Sequence, residues 1–303
     1  MLSPVIGAFL TAVLWAGSAV FASRATKLIG GSEANFWRLA IATVLLAAWA
    51  ASFGQGVTGN AFPEFLLSGL IGIGIGDVAL FQALPRLGSR LSILLVQCLS
   101  TPFAALIEYL WLGTTLNGVQ MFCAGTILVG VAMALTPGGH MVITRRQLTV
   151  GVIASVIAAL GNATGAVLSR KGYQVAADAH QNLDGGTAAF QRLIGGLFIA
   201  GIWLLLVKQK TQVARFSSTR EKWKKIWPWV LANAVAGQTL GVSCYQWALK
   251  TAPTGIVMPI VALTPLMVIP FSRYLENERP HLRSLIGGAI AVAGVFALLW
   301  FKK

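Results

Sequence analysis

The sequence predicts an all-α integral membrane protein with ten transmembrane helices, arranged as two inverted five-helix repeats. Three observations predict it. Hydrophobic residues are 56% of the 303 and charged residues 11%, whereas a soluble domain carries about 25% charged residues. The apolar residues fall in runs of about 20, the length that crosses a bilayer as a helix. Finally, the chain is written twice.

The repeat is clearest in the stretch Gly76 to Gly113, which returns from Gly241. Phe81-Gln82 answers Tyr245-Gln246, Ala83-Leu84 answers Ala248-Leu249, and Thr101-Pro102 answers Thr264-Pro265. Leu14 to Arg24 aligns without gaps on Leu160 to Arg170, Phe36 to Leu39 on Phe190 to Leu193, and Gly130-Val131 on Gly294-Val295. The expected units are 1–138 and 148–303, and a repeat of this kind is settled before any single helix.

Taken in order, the expected spans are 4–23, 34–53, 63–84, 92–111, 118–136, 149–168, 188–207, 227–249, 254–275 and 283–301. The first run lacks a basic leader and has a counterpart in the second half, so it reads as a structural helix and not as a removable signal. The third contains Gly72-Ile73-Gly74-Ile75-Gly76, just before Asp77, and the small residues of this run allow close helix approach. Turn residues such as Pro85-Arg86 and Pro137-Gly138-Gly139 fill the short gaps. The ninth span holds Pro259, Pro265 and Pro270 and is the most interrupted. No segment alternates as barrel strands do, and the longest polar stretches are only Lys171 to Gly186 and Lys208 to Ile226.

Five helices per repeat is an odd number, so the sixth enters from the side opposite the first. Inverted halves create a pseudo-two-fold axis in the membrane plane, and a site between them can open to either side. The net charge of +14 sits mainly in the gaps between apolar runs, which suits flanking topology signals better than nucleic-acid binding. One set of loops carries sixteen Lys and Arg, including seven from Lys208 to Lys225, and the other set five. The positive-inside rule places the richer set in the cytoplasm and both termini outside. Trp223, Trp227 and Trp229 read as interfacial anchors. Cys98, Cys123 and Cys244 lie inside apolar runs and read as packing residues.

Polar residues inside the spans are the candidate cavity lining: Trp15, Asp77, Gln82, Gln97, Pro102, Asn162, Tyr245, Gln246 and Pro265. Pro102 and Pro265 each remove a helical N–H and free the carbonyl four residues back, those of Cys98 and Val261. Such breaks face protein or a wet cavity; a packing kink is the plainer alternative. Asp77 is open to pairing with Arg38, to proton binding, or to holding a cationic solute. Glu108 lies toward the end of its span and is expected at the interface. Neither acid has a mate, since Ser243 or Cys244 and Phe271 stand opposite. Gln238 is a further neutral polar group in an apolar run, and Gly161 with Gly165 has the spacing of a helix contact. Arg24 and Arg38 flank the first interhelix loop, and Arg170 and Arg192 are their repeat mates on the opposite face; the four are candidate gates, a latch at each mouth, or plain snorkelling cations.

With these motifs the chain resembles the EamA family of the drug/metabolite transporter superfamily. Trp15 in the first span, Arg38 and Arg192 opening the second span of each repeat, and Glu278-Arg279 before the last span match the family pattern. Thr114 stands in the first repeat where a glutamate is usual. The resemblance implies a secondary carrier or exporter of small organic metabolites, amino acids among them, in the inner membrane. It also implies termini in the cytoplasm, opposite to the charge count.

No phosphate-cradling loop, zinc-protease motif or nucleophile elbow is present in the sequence, and His140, His180 and His281 are isolated. The expectation is therefore no enzyme, no metal and no cofactor. The expected partners are a small-molecule solute and the lipid bilayer, with a homo-oligomer allowed and nucleic acid excluded. Two alternatives stay open: an exporter of drug-like cations that uses an ionised Asp77, and a non-transporting lipid-modifying enzyme or scaffold.

Overall fold

In lipid every backbone N–H and C=O must be satisfied within the chain, and this sequence does so by helices alone. The computed structural model describes residues 3–115, 117–135, 144–211, 220–276 and 282–300, with no strand among them. The elements are α1 Ser3–Ile29, α2 Gly31–Ser52, α3 Phe62–Ser68, α4 Gly76–Leu112, α5 Gly118–Leu135, α6 Arg145–Asp178 and α7 Gly185–Thr211. They continue with α8 Arg220–Asn233, α9 Val242–Thr251, α10 Thr254–Val261, α11 Thr264–Glu276 and α12 Leu282–Trp300. Among the described residues seven helices are long and apolar enough to cross a membrane, and Gly118–Gly130 is a shorter apolar helix.

Several helices depart from their expected bounds. The span expected at 149–168 runs from Arg145 to Asp178, started by a capping box in which Thr144 and Gln147 satisfy each other's backbone. The first turn after Phe62 is not at Pro85-Arg86 but at Gly88, whose φ of 76° divides α4. Glycine adopts that left-handed conformation without steric cost. The ninth expected span is broken between α10 and α11 at Ala262 and Leu263, just before Thr264-Pro265. The carbonyl of Val261 is covered there by the Thr264 hydroxyl at 2.6 Å. Its repeat mate Thr101 donates instead to the Gln97 carbonyl at 3.1 Å, one residue before the Cys98 carbonyl that Pro102 frees. The turn at Pro137-Gly138-Gly139, Glu278-Arg279, His140, His281 and much of the basic stretch 208–225 lie outside the described residues.

Two stretches wind as π-helix: Gly69–Ile75 between α3 and α4, and Ala234–Gly241 between α8 and α9. They occupy matching places in the two repeats. The first helix of each repeat packs against the π stretch of the other. Thr11 donates to the Gly241 carbonyl, Trp15 to that of Gly237, and Ser18 to Asn233, so α1 runs antiparallel to that segment. In the related contact a Cβ on Gly161 would stand 2.9 Å from the Gly76 Cα, and one on Gly165 2.9 Å from the Gly72 Cα. Only glycine lets α6 and the Gly69–Ile75 stretch approach so closely. The remaining mates pair directly: α2 lies on α7 around Leu39, Ala42, Leu193 and Ala200, and α5 on α12 around Cys123, Ile127 and Ala291. This exchange of helices leaves a seam between the repeats.

Candidate functional site

The seam holds a cavity. From α1 come Trp15, Ser18, Ala19 and Ala22, spaced so that one helical face meets the space. The opposite walls are Gly72, Gly76 and Asp77, then Val96 and Gln97 of α4, Ala158 and Asn162 of α6, Gly237 and Gln238, and Thr264. Both repeats therefore contribute. The cavity's volume is about 90 Å³, room for about three waters at their share of liquid volume. Any larger solute has to widen it.

Charge in the wall is concentrated at Asp77. Arg38 Nη2 donates to its Oδ2 at 2.6 Å, and Gln238 Nε2 donates to the same oxygen at 3.1 Å. Asn35 Oδ1 accepts from Arg38 Nε at 3.0 Å and from Nη2 at 2.9 Å, which fixes the guanidinium. The Phe81 ring lies 4.4 Å beneath it, a placement that stabilises a cation by the ring's quadrupole. Neutral polar groups complete the wall: Asn162 donates to Ser100 at 3.3 Å, and Trp15 Nε1 to the Gly237 carbonyl at 3.1 Å. The acyl oxygens of Gln97 and Gln238 are buried without a donor.

The structure brings Trp15, Asp77, Gln97 and Asn162 together at this cavity and leaves the other candidates elsewhere. Gln82 lies in an apolar groove on the outer surface with Ile75, Val150 and Trp203. Pro102 is exposed, in a groove between α4 and α5. Pro265 is buried but only its neighbour Thr264 reaches the cavity. Tyr245 and Gln246 are core residues. The Tyr245 ring packs 5.1 Å from that of Trp15 and its hydroxyl donates to Met258 Sδ at 2.8 Å, while Gln246 donates to Ser169 at 3.3 Å. Gln238, the further neutral polar group of the apolar runs, lines the cavity too, as do Ser18 and Thr264, which were not among the candidates.

The four arginines do not form a pair at each mouth. Arg38 and Arg192 are repeat mates, yet both are buried, at 4% and 3% exposure, and only Arg38 contacts Asp77. Arg24 sits over Trp229, 4.4 Å from the ring centroid. Arg170 donates to the Leu249 carbonyl at 2.7 Å and lies 3.6 Å from Glu108. Glu108 is not at the interface but 2% exposed, accepting from the Thr254 backbone N–H at 2.8 Å and from the Thr254 hydroxyl. Of the expected anchors, Trp227 is exposed while Trp223 packs edge-on against Trp37.

A multi-pass helical chain with a cavity between two repeats, its wall carrying Asp77, Gln97, Asn162 and Gln238, is the build of a membrane transporter. The model of the EamA-like transporter family matches residues 2–136 and 149–300, and the chain belongs to that family. A solved structure titled only as the crystal structure of a protein superposes with a TM-score of 0.76, over 97% of this chain and 96% of that one, at 15% identity. That likeness shows the fold alone. No curated protein is similar enough to count as a match.

Proposed function

We propose that this chain is an alternating-access secondary carrier of small organic metabolites, working through the cavity between inverted repeats in the inner membrane. The observation that carries the reading is that Trp15 and Asn162, on the repeat-related first helices α1 and α6, face the same cavity from opposite repeats. Rocking one repeat against the other would expose such a site to either side in turn. Ten crossings complete the reading, with α5, the rod 220–251 and α12 added to the seven apolar spans. The richer set of basic loops, Arg24 and Arg145 among it, would face the cytoplasm. Asp77 is already engaged by Arg38 and Gln238, which counts against the export of drug-like cations.

Counterflow in liposomes of purified protein tests this. Vesicles are preloaded with a metabolite panel, the twenty amino acids included, and exchange of labelled solutes is followed. Saturable exchange of one chemical class, lost in folded Trp15→Ala or Asn162→Ala protein, is the expected result. Absence of exchange across the panel from intact protein would remove the carrier reading.

A further inference from the structure

We infer that Arg192 is the anchor of an anion site, and that the solute carries a carboxylate or comparable oxyanion. The inference rests on the carrier reading and names the chemistry of its solute. Arg192 is 3% exposed. Among the described residues its guanidinium makes no hydrogen bond and no ion pair, and its Nε is enclosed without an acceptor. An unpaired buried cation is costly enough that it persists only where something else compensates it.

The surroundings contain no spare compensation. The one carboxylate acting on Arg192 is Asp77, and Arg38 already holds that at 2.6 Å. Tyr173 and Tyr245 are the other groups that act on it, and both are neutral phenols at ordinary pH. Two buried guanidinium groups thus stand against one carboxylate that only Arg38 contacts, leaving one positive charge in excess. That charge is next to the cavity. A Cβ on Gly72, a wall residue, would stand 2.9 Å from Arg192 Nη2 and one on Gly165 3.1 Å, so the guanidinium lies directly behind the Gly72 wall, with no side chain of either glycine between it and the cavity. In the cavity wall the acyl oxygens of Gln97 and Gln238 lack donors. An oxyanion at Arg192, on a solute whose N–H or O–H groups reach those two oxygens, would satisfy these three groups at once.

Two measurements on the full chain test this. In the first, empty wild-type protein is melted in detergent beside Arg192→Met, Arg192→Gln and Arg38→Met. Removing an uncompensated charge should raise the apparent Tm of both Arg192 variants by about 3 °C or more, whereas Arg38→Met, which strands Asp77, should lower it. Arg192 variants that melt at or below wild type, or do not fold, would overturn the inference.

In the second, counterflow is run with small carboxylates, each paired with its neutral amide. Wild type should exchange carboxylates and not the amides, and Arg192→Gln should lose at least about tenfold of that flux. Exchange of amides or amines alone would sink the anion site and leave the carrier standing. No exchange of any solute by folded wild type would remove the carrier reading, and the melting comparison would then decide on Arg192 by itself.

Discussion

Glu108 of α4 caps the N-terminus of α10: its Oε2 receives the backbone N–H of Thr254 at 2.8 Å, and the Thr254 hydroxyl besides. With Arg170 at 3.6 Å from the other oxygen, one buried carboxylate joins α4 of the first repeat to α6 and α10 of the second. Replacing it by alanine strands a buried N–H and a partly buried cation. Glu108→Ala should cost about 3 kcal/mol, read as a fall of several degrees in apparent Tm. Glu108→Gln, which still accepts from Thr254, should cost less than half of that.

The glycine seam gives a prediction with an internal control. A Cβ on Gly69 would meet the Arg192 carbonyl at 1.8 Å, and one on Gly161 the Gly76 Cα at 2.9 Å. Both obstacles are backbone and cannot swing away. A Cβ on Gly76 meets nothing closer than 3.5 Å. Gly69→Ala and Gly161→Ala should therefore destabilise by roughly 1–3 kcal/mol. Gly76→Ala should be neutral in the same thermal-unfolding assay.

The Arg38–Asp77 pair should behave as a unit. Asp77→Asn leaves two buried arginines without a carboxylate, and Arg38→Gln removes the partner that holds Asp77. Each single change should lower stability strongly, and the double variant should recover part of the loss. A double-mutant cycle is expected to give a coupling of about 2 kcal/mol or more; additive losses would show that the two charges do not depend on each other.

Asp184 stands before α7, outside the apolar span. Burial alone would raise its pKa, but the Thr187 hydroxyl and N–H, the Trp49 indole and the Gly186 N–H all donate to the carboxylate and hold it below the usual value. A depressed folded pKa gives stability that is present above the unfolded value, near 3.9, and lost as pH falls through the folded one. Asp184→Asn should accordingly flatten the acid limb of an apparent-Tm profile below about pH 4. It should leave the profile above pH 6 parallel to wild type.

Much of the fold was legible because its signals are local. Runs of apolar residues mark helices wherever they pack, and dipeptides such as Thr101-Pro102 and Thr264-Pro265 mark the duplication. Trp15 and Asn162 could be paired because they sit on mated helices. Side-chain direction was harder. Gln82 and Gln238 look alike in sequence, yet one faces outward and the other the cavity. Gln238 lies within the second π stretch and Gln82 beyond the first, and such a stretch changes the residues per turn, so a regular helical count does not give either direction. Arg38 and Arg192 were misjudged by counting from the expected helix ends. Because α2 starts at Gly31 and α7 at Gly185, each arginine lies seven residues in, about 10 Å along its helix. Glu108 owes its burial to α6 and α10, which no local pattern announces.

The unequal count of two arginines to one carboxylate gives a carrier built on this site an electrical signature. Loaded with a singly charged anion, the site is neutral, and its passage between the two faces feels no membrane potential. Empty, it bears one positive charge, and returning that charge across 100 mV is worth about 2.3 kcal/mol. One-for-one exchange would then run independently of voltage. Net one-way flux would be speeded or slowed by the potential according to which way the empty protein must turn.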